Sequence, residues 1–482
     1  MRRKRHVNKM ASVAPQAANV PGIRPEWAFL VLALAAGLFM VFVTPPFQSP
    51  DEDVHFFRAF QLSEGKVIAQ REGQMVGGSL PISLKIATAP FERMQFQPLE
   101  KASSKDLATL RQQPLALQSR AFFEFKQTAL YTPVAYLPAV VGIWIGRLCS
   151  LAPVELLYAS RLAALLCWAT IVFVAIRSIP VLKWVMMLVG LLPMGVFTAS
   201  TLSADVMTNA LAMLFAAVIL RSSLAADGPL RWKDGLTIIL LCVLVAATKQ
   251  VYFPIVAMTL MIPKTRFAGL RTKLLFCAGA VGVAVVTNLA WAWLVRGVIT
   301  TEAWADPQKQ TQFILAHPWE YVRVLGNTLE VWWRKYYEWY IGVLGWLDCW
   351  LPAWVYPSYA VMILAVPLLD RGQGRTITIK ERLLLAGVVV VTLLLIATSL
   401  YITYTIPMDA TIRGVQGRYF IPLTIPALML LYNRKVKVPE RWLGYTVMAF
   451  CTVVIVAMCL AILNRYYGIN PLHLILKVNI MA

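Results

Sequence analysis

Two adjacent acids, Asp51 and Glu52, follow the first long apolar segment of the chain and lie in the short polar run 50–58. A carboxylate at a membrane surface can take a proton from an acceptor hydroxyl, which is general-base catalysis, or bind a divalent cation such as Mg²⁺ or Mn²⁺. His55 and Arg58 follow, and in a helix both would share a face with one of the acids. We predict that Asp51 or Glu52 is the catalytic base and that His55 and Arg58 bind substrate. A solvated loop end is the alternative.

A third acid, Asp205, begins a later apolar segment, and Asn209 lies one helical turn further on. Ser203 is a good N-cap residue and the helix dipole favours an acid in the first turn, so capping and substrate binding are both open for Asp205. Lys249 interrupts another apolar stretch, three residues before Tyr252. A lysine there can bind a phosphate as a point charge, or it can snorkel to the interface. We predict substrate contacts from Asp205, Asn209, Lys249 and Tyr252.

The run 414–420 holds Gln416, Arg418 and Tyr419 beside two glycines. Arginine offers a planar fork to phosphate oxygens, and glycines let the backbone approach a ligand closely, so these three residues are predicted to bind substrate. An interfacial anchor is the alternative. Asp348 lies in a stretch rich in Trp and Tyr and is a further site candidate. Most of those aromatic residues are expected to form an interfacial belt, while some stack on sugar rings.

Composition indicates a membrane protein. The chain of 482 residues is 59% hydrophobic and only 14% charged, whereas soluble domains carry about 25% charged residues. The net charge of +21 is explained by basic segments between membrane helices, so no nucleic-acid partner is predicted. The sequence contains no phosphate-binding P-loop and no G-x-G-x-x-G opening a helix, which argues against an ATP-driven pump or a dinucleotide enzyme. The seven cysteines form no C-x-x-C pair and are interpreted as core residues.

Apolar segments recur along the chain and predict an all-α polytopic bundle. The candidate segments are 27–46, 131–151, 158–176, 181–198, 204–220, 235–262, 274–295, 352–369, 383–401, 419–431 and 443–463. A basic arm, 1–26, precedes the first segment and is expected to hold the N-terminus in the cytoplasm. Two larger stretches, 47–130 and 296–351, are predicted to be outer loops.

Basic clusters between the segments test which of them cross, because Lys and Arg concentrate on the cytoplasmic side. All five clusters face the cytoplasm if 131–151 does not cross and 235–262 forms two short spans with an outer turn at Lys249-Gln250. The rival topology takes 131–151 as a full span and 235–262 as one helix, which places Lys249 in the bilayer at a cost of about 2.5–3.5 kcal/mol. We favour the first arrangement, with about eleven spans, a membrane module at 27–463 and an outer C-terminal tail at 464–482. The clusters comprise Arg177 and Lys183; Arg221, Arg231 and Lys233; Lys264, Arg266, Arg271 and Lys273; Arg371, Arg375, Lys380 and Arg382; and Arg434, Lys435, Lys437 and Arg441.

Several short motifs occur in a fixed order: P-D-E-x-x-H-F from Pro50, Y-T-P from Tyr131, S-A-D-x-x-T-N from Ser203, T-K-Q-x-Y from Thr248, G-W-L-D from Gly345 and G-x-Q-G-R-Y-F from Gly414. Together they resemble a bacterial family of membrane proteins labelled as a domain of unknown function. That family in turn resembles the GT-C glycosyltransferase superfamily. The resemblance extends over about 45–422, which is most of the membrane module.

The resemblance implies sugar transfer from a polyprenyl-phosphate donor on the outer face of a bacterial inner membrane. In the superfamily an acid in the first outer loop is the usual catalytic or metal-binding residue, and Asp51 and Glu52 occupy that place. The chain lacks the large C-terminal soluble domain of oligosaccharyltransferases, so the expected acceptor is an envelope glycan or a lipid-linked glycan. Lys249 and Arg418 would then hold the donor phosphate.

A transporter or flippase for lipid-linked sugars is the alternative function. Such a protein is expected to show internal repeats and polar residues at mid-membrane. The sequence shows no convincing repeat, and its unusual polar motifs are predicted to gather on one face. The expected partners are therefore the lipid-linked donor, the glycan acceptor and the bilayer.

Overall fold

The computed structural model describes residues 23–225, 228–370, 375–432 and 438–469. Six of its helices are long and apolar enough to cross a membrane: Pro25–Val43, Pro153–Ser178, Asp205–Leu224, Leu270–Val298, Ile379–Thr403 and Glu440–Tyr467. The prediction of a mainly helical, polytopic membrane protein is confirmed. Most of the basic arm 1–26 and the end of the tail 464–482 lie outside the described residues, and the last helix continues to Tyr467 before the tail begins.

The described helices in chain order are α1 (Pro25–Val43), α2 (Glu52–Ser63), α3 (Ile82–Glu92), α4 (Ser104–Arg111), α5 (Lys126–Ala129), α6 (Leu137–Leu148), α7 (Pro153–Ser178), α8 (Lys183–Gly190), α9 (Pro193–Ala199), α10 (Asp205–Leu224), α11 (Trp232–Thr248), α12 (Leu270–Val295), α13 (Pro307–Ala316), α14 (Pro318–Ile341), α15 (Val355–Leu369), α16 (Ile379–Thr403), α17 (Thr424–Leu428) and α18 (Glu440–Tyr467). Short 3₁₀ helices occupy Pro133–Tyr136, Gln250–Met261, Lys264–Arg266, Arg296–Val298, Gly417–Leu423 and Met429–Leu431.

Helices α1 and α7 are antiparallel. Near one end the ring centroids of Trp27 and Phe173 are 4.9 Å apart, and near the other those of Phe42 and Tyr158 are 6.0 Å apart. The end that holds the start of α1 and the end of α7 is called the basic end below, and the opposite end is called the outer end. Helix α7 therefore begins at the outer end and finishes at the basic end.

Segment 131–151 stays at the outer end. Its first turn contacts the outer end of α11, where the Thr132 hydroxyl donates to the carbonyl of Ala247 at 2.5 Å. Its last residues lead into the first turn of α7, which is also at the outer end. With α6 preceded by the 3₁₀ turn Pro133–Tyr136, the helical part is shorter than the ~20 residues that a span requires. This placement agrees with the prediction that the segment does not cross.

Segment 235–262 forms a hairpin with its apex at Lys249. The residues that flank the two ends of this segment are in contact. The Leu230 amide donates to the Arg266 carbonyl, and the Arg266 guanidinium donates to the Gly228 carbonyl, each at 2.7 Å. Lys249 itself has extended backbone angles and ends α11. The predicted break is confirmed. The second leg is a 3₁₀ helix that contains Pro254, a residue without the amide that an α-helix would use.

The described members of the predicted basic clusters meet at the basic end. The Arg375 amide donates to the Leu224 carbonyl at 3.2 Å, and Arg382 donates to the Tyr432 carbonyl at 2.6 Å. A pocket of about 630 Å³ at this end is lined by Arg24, Arg177, Lys183, Arg221 and Arg441 among others. Arg371, Arg434, Lys435 and Lys437 lie outside the described residues. This clustering on one face is what the positive-inside rule expects of a cytoplasmic side.

The outer stretches are not purely helical, which corrects the all-α prediction in detail. Strands β1 (Gln70–Glu72), β2 (Met75–Pro81) and β3 (Arg120–Glu124) form an antiparallel sheet in the order β1-β2-β3. Strands β4 (Val343–Leu344) and β5 (Cys349–Trp350) form a hairpin. Helices α2 to α5 and the first sheet build an outer layer over α1 and α7. Short strands between long apolar runs carry too weak a period to be seen in the sequence.

Two predicted spans are irregular and lie inside the bundle. Segment 181–198 divides into α8 and α9 at Leu191-Leu192, immediately before Pro193, and every residue of α9 is buried. Segment 419–431 is part of a 3₁₀–α–3₁₀ run that begins at Gly417. Apolar composition cannot separate a buried segment from a lipid-facing one, which explains why both resembled ordinary spans.

Candidate functional site

Three of the predicted site residues converge at the outer end: Asp205, Lys249 and Arg418. Asp205 starts α10, Lys249 is the hairpin apex, and Arg418 lies in the 3₁₀ turn Gly417–Leu423. The Lys249 ammonium forms a short ion pair with Oδ1 of Asp205, and Nε of Arg418 lies 3.4 Å from Oδ2. Asp205 and Arg418 are 3% and 7% exposed. A buried carboxylate with two cations leaves one net positive charge in a region that water barely reaches.

Aromatic rings surround this cluster. The Lys249 nitrogen lies 4.9 Å from the ring centroid of Tyr419 and 5.4 Å from that of Tyr131. The Tyr252 hydroxyl donates to the Tyr419 carbonyl at 2.9 Å, which ties the hairpin to the Arg418 turn. Ring faces attract a cation and exclude solvent, so they fix the position of the ammonium. The predicted residues Tyr252 and Tyr419 are thus at the site, while Tyr131 had been noted only as part of a motif.

Asp51 lies beside the cluster with a free carboxylate. It is the N-cap of α2 and has a left-handed backbone, with φ 61°, a conformation that Asp adopts more readily than most residues. Among the described residues, none forms a hydrogen bond or ion pair with its carboxylate. Burial raises the pKa of the Asp51 carboxyl above its usual range, and the charges of Arg418 and Lys249 oppose this only in part. A raised pKa and an open oxygen suit a general base.

Glu52 is held in a different interaction. It is fully buried and receives two hydrogen bonds from Arg161, at 2.7 and 2.5 Å, and a third from the Leu202 amide at 2.9 Å. Arg161 also donates to the carbonyls of Val41, Thr44 and Pro45. The pair therefore fastens the outer ends of α1 and α7 to the turn before α10. Of the two acids predicted as the base, only Asp51 keeps an unoccupied carboxylate.

His55 adjoins the site, whereas Arg58 points into the outer layer. Nδ1 of His55 lies 2.7 Å from the Tyr136 hydroxyl, and its ring stacks on Tyr131. Burial and the nearby Arg418 lower the pKa of His55 to about 3, so the imidazole is neutral at pH 7. Arg58 hydrogen-bonds the Gln61 side chain and the Val67 carbonyl, and burial lowers its pKa to about 10.

Asp348 forms an ion pair of its own. Its Oδ2 accepts from Arg465 at 2.7 and 3.1 Å, and Arg465 also donates to the carbonyls of Met94 and Glu100. These contacts join the end of α18 to the outer layer. Asp348 was predicted to bind substrate, but the structure places its carboxylate in this separate pair and not with Asp205.

Several buried polar atoms at the site have no hydrogen-bond partner within the described chain. They are both amide atoms of Asn209 and Oε1 of Gln416. Asn209 lies one turn after Asp205 on the same face of α10, and Gln416 shares a small pocket with Arg418, Ser49 and Trp339. Buried polar groups are normally paired, so unpaired ones at a charged site indicate a position for ligand or water.

The acids of this site were also predicted as possible ligands of a divalent cation. Asp51 and Asp205 are the acids at the cluster, and both oxygens of Asp205 already face cations. No group of three or more His, Cys, Asp or Glu side chains in the described ranges is arranged to hold a metal. Two fixed positive charges suit an anionic ligand better than a further cation.

Sequence reasoning missed Arg161, Tyr136 and Arg465. Arg161 lies inside an otherwise apolar segment, and a charge there is a signal for a buried partner. Its partner Glu52 is 109 residues away in the chain, so the pairing depends on how α2 packs against α7. Tyr136 and Arg465 carried no comparable local signal.

Comparison with known proteins identifies a family for most of the chain. No curated protein and no solved structure matches the chain. A family described as predicted membrane protein, DUF2142, matches residues 34–428. The matched range includes Asp51, Asp205, Lys249 and Arg418, together with the helices that position them. The chain belongs to this DUF2142 family of membrane proteins.

Proposed function

We propose that the protein is a glycosyltransferase that moves a sugar from a polyprenyl-phosphate donor to an envelope glycan or a lipid-linked acceptor. The observation that carries the proposal is an unpaired carboxylate, Asp51, beside two cations of low exposure, Lys249 and Arg418. A sugar phosphate needs both features, because its transfer requires a base for the acceptor and positive charge for the leaving group.

The proposed reaction is a single displacement. Asp51 accepts the proton of the acceptor hydroxyl as that oxygen attacks the anomeric carbon of the donor sugar. The bond from this carbon to the phosphate oxygen breaks, and polyprenyl phosphate leaves with the bonding electrons. Lys249 and Arg418 stabilise the negative charge that develops on the phosphate, Arg418 as a planar fork and Lys249 as a point charge.

Asp205 is assigned a positioning role in this reaction. Its two oxygens hold the ammonium of Lys249 and the guanidinium of Arg418 close together. Two neighbouring cations repel each other, and a carboxylate between them lowers that repulsion. Asn209 and Gln416 have buried polar atoms without a hydrogen-bond partner among the described residues. We assign them to hydrogen bonds with hydroxyls of the sugar or the acceptor.

The site is proposed to face the periplasm of a bacterial inner membrane. The basic clusters at the opposite end support a cytoplasmic basic end. With that orientation, we assign the eleven predicted passages to α1, α7, α8–α9, α10, both legs of the hairpin, α12, α15, α16, 417–431 and α18. A donor with its tail in lipid would meet the site at the membrane boundary.

The distribution of buried charge supports an enzyme over a transporter. A passage through the bundle would need polar groups along its length. Within the described residues the buried charged side chains lie at the two ends: Glu52, Arg58, Arg161, Asp205, Arg418 and Arg465 at the outer end, and Glu26, Arg266 and Asp370 at the basic end. The region between them is packed with apolar side chains.

The experiment that tests the proposal is an assay of the purified protein in lipid vesicles. Polyprenyl-phosphate sugars with different headgroups are supplied with a mixture of lipid-linked glycan acceptors, with and without a chelator. Release of polyprenyl phosphate together with a glycosylated acceptor is the expected result. Movement of the intact donor between leaflets, without release of polyprenyl phosphate, would contradict the proposal and support a transporter.

A further inference from the structure

Helix α14 has an exposed apolar stripe in a region that the sequence predicts to be an outer loop. The stripe is formed by Trp319, Val322, Gly326, Leu329 and Trp333, which alternate at spacings of three and four residues. Such spacing places them on one side of a helix. Trp319, Leu329 and Trp333 are 79%, 63% and 59% exposed, and an added Cβ at Gly326 would meet no atom within 4 Å.

The rest of the helix divides into two further faces. One face packs against the bundle through Val324, Thr328 and Tyr336, all buried. The other is charged and exposed, and it carries Glu320, Arg323, Asn327, Glu330 and Arg334. A helix in water needs one apolar face and one polar face. Helix α14 has three faces: one packs on protein, one is apolar and exposed, and one is charged and exposed. Such a helix fits a position where protein, lipid and water meet.

The contacts of α14 show which way these faces point. Tyr340, which is in register with Val322 of the stripe, bonds the Thr424 hydroxyl at 2.9 Å. From the protein-facing side, the Tyr321 hydroxyl bonds the Thr398 hydroxyl at 2.6 Å. Thr398 lies five residues before the end of α16, which is roughly 7–8 Å below its outer end. Thr424 likewise lies beyond the 3₁₀ turn that begins the inward run at Gly417.

The charged side faces away from the bundle. There Asn327 donates to the Ala410 carbonyl at 3.4 Å. Thr328, on the neighbouring buried face, accepts from the Ile412 amide at 2.9 Å. Ala410 and Ile412 belong to the segment after α16, beyond its outer end. The apolar stripe is therefore on the side of the membrane spans, and the charged face is on the outer side.

We propose that α14 lies in the plane of the membrane, with its apolar stripe in the acyl chains of the outer leaflet and its charged face in water. The stripe is continuous with a lipid-facing surface, because Leu394, one turn before Thr398 on α16, is 43% exposed. Trp319 and Trp333, near the two ends of the stripe, are the residue type that membrane interfaces favour.

This position would connect the lipid surface to the site. Gly417 packs directly on the backbone of α14, where an added Cβ would collide with Trp339 and Tyr340. Arg418 is the next residue. A lipid that slides along α14 would therefore reach the phosphate-binding cation at the end of the helix. The membrane position of α14 itself does not depend on the proposed transferase activity.

Site-directed spin labelling tests the placement. Single cysteines replace Trp319, Val322, Leu329 and Trp333, and separately Glu320, Arg323 and Glu330, in a protein whose seven native cysteines are substituted. A further label at Leu99, which is 92% exposed on the outer layer, is the control for water. The labelled proteins are reconstituted in lipid bilayers, and collision with oxygen and with a water-soluble nickel chelate is measured.

The expected result is a ratio of oxygen to nickel collisions that is high at every stripe position and low at the charged positions and Leu99, so that it oscillates with the helical period. Two outcomes would overturn the proposal. Nickel access at the stripe equal to that at Leu99 would place α14 in water. Exclusion of both reagents, with dipolar coupling between labels, would show that a second copy of the chain covers the stripe. Quenching of a fluorophore at position 329 by brominated acyl chains is the second measurement, and its absence would count against the proposal.

Discussion

Asp205 and Lys249 form a part-buried ion pair, although their positions in the chain differ by 44. The pair closes the outer end of the bundle, since it joins the first turn of α10 to the apex of the hairpin. With Arg418 on the other carboxylate oxygen, it creates a fixed positive site beside the free carboxylate of Asp51.

Replacing Glu302 should change the pH dependence of the reaction rate. Burial is the main cause of the raised pKa of Asp51, and the negative charge of Glu302 adds a smaller effect in the same direction. Glu302 is also paired with Lys126 at 3.0 Å, so replacing it with a neutral residue removes this charge and leaves a cation nearby, and both changes lower the pKa of Asp51. A base works only when deprotonated, and activity is lost as the pH falls through its pKa. Glu302→Gln should therefore shift the acid limb of the profile of kcat/KM to lower pH. Glu320→Gln, a charge change on the exposed face of α14, is the control, and an unchanged or raised limb in Glu302→Gln would contradict Asp51 as the titrating base.

Glu52 should matter for folding. Glu52→Gln leaves the guanidinium of Arg161 buried without its carboxylate, and breaking a buried pair from one side costs about 3–5 kcal/mol. The double variant Glu52→Leu with Arg161→Met should recover much of that stability, because neither charge is then left alone. Denaturant unfolding in detergent measures both. Equal stability of Glu52→Gln and the parent would show that the pair does not hold the outer end together.

Arg418 should control donor affinity. Lysine cannot reproduce the two parallel hydrogen bonds of a guanidinium to phosphate. Losing one charged hydrogen bond, roughly 1.5–3 kcal/mol, should raise the apparent KM for donor by about ten- to a hundredfold in Arg418→Lys. Arg413→Lys, at an exposed arginine paired with Asp409, is the matched control. Steady-state kinetics with donor and acceptor varied separately decide the matter, and a loss confined to acceptor binding would remove Arg418 from the phosphate site.

The orientation can be measured with an impermeant thiol reagent on intact cells. Single cysteines at positions 150 and 413 should be labelled from outside, since Ser150 and Arg413 lie at the outer end and are exposed. A cysteine at position 271, at the basic end, should be labelled only after the membrane is opened. If the first two cysteines are not labelled from outside, the protein has the opposite orientation, and a periplasmic site is excluded.

Much of this arrangement followed from local sequence. The charge rule for loops predicted that 131–151 stays outside and that the hairpin turns at Lys249. The gathering of Asp205, Lys249 and Arg418 followed from that topology. The separate roles of Asp51 and Glu52 did not, because adjacent acids look alike until the partner of one is known. Glu52 is distinguished by Arg161, and that contact depends on tertiary packing.

The small outer sheet and the irregular inner segments were also beyond local reasoning. Strand β2 pairs with β3 across a long insertion, with Gly78 opposite Phe123. Nothing within either strand specifies that partner. Segment 181–198 is apolar, as its sequence indicates. Its apolar side chains are buried against neighbouring helices and not against lipid.

Turnover of Asp51→Asn tests the central claim most directly. Single-turnover transfer from a polyprenyl-phosphate sugar is followed for the parent, for Asp51→Asn and for Asp53→Asn, which removes an equal charge two residues away. Loss of a positioned base typically lowers the rate by about 100- to 10,000-fold. We predict a loss of that size in Asp51→Asn, with donor binding retained, and near-parental turnover in Asp53→Asn. Full turnover in Asp51→Asn would contradict the assignment of Asp51 as the base.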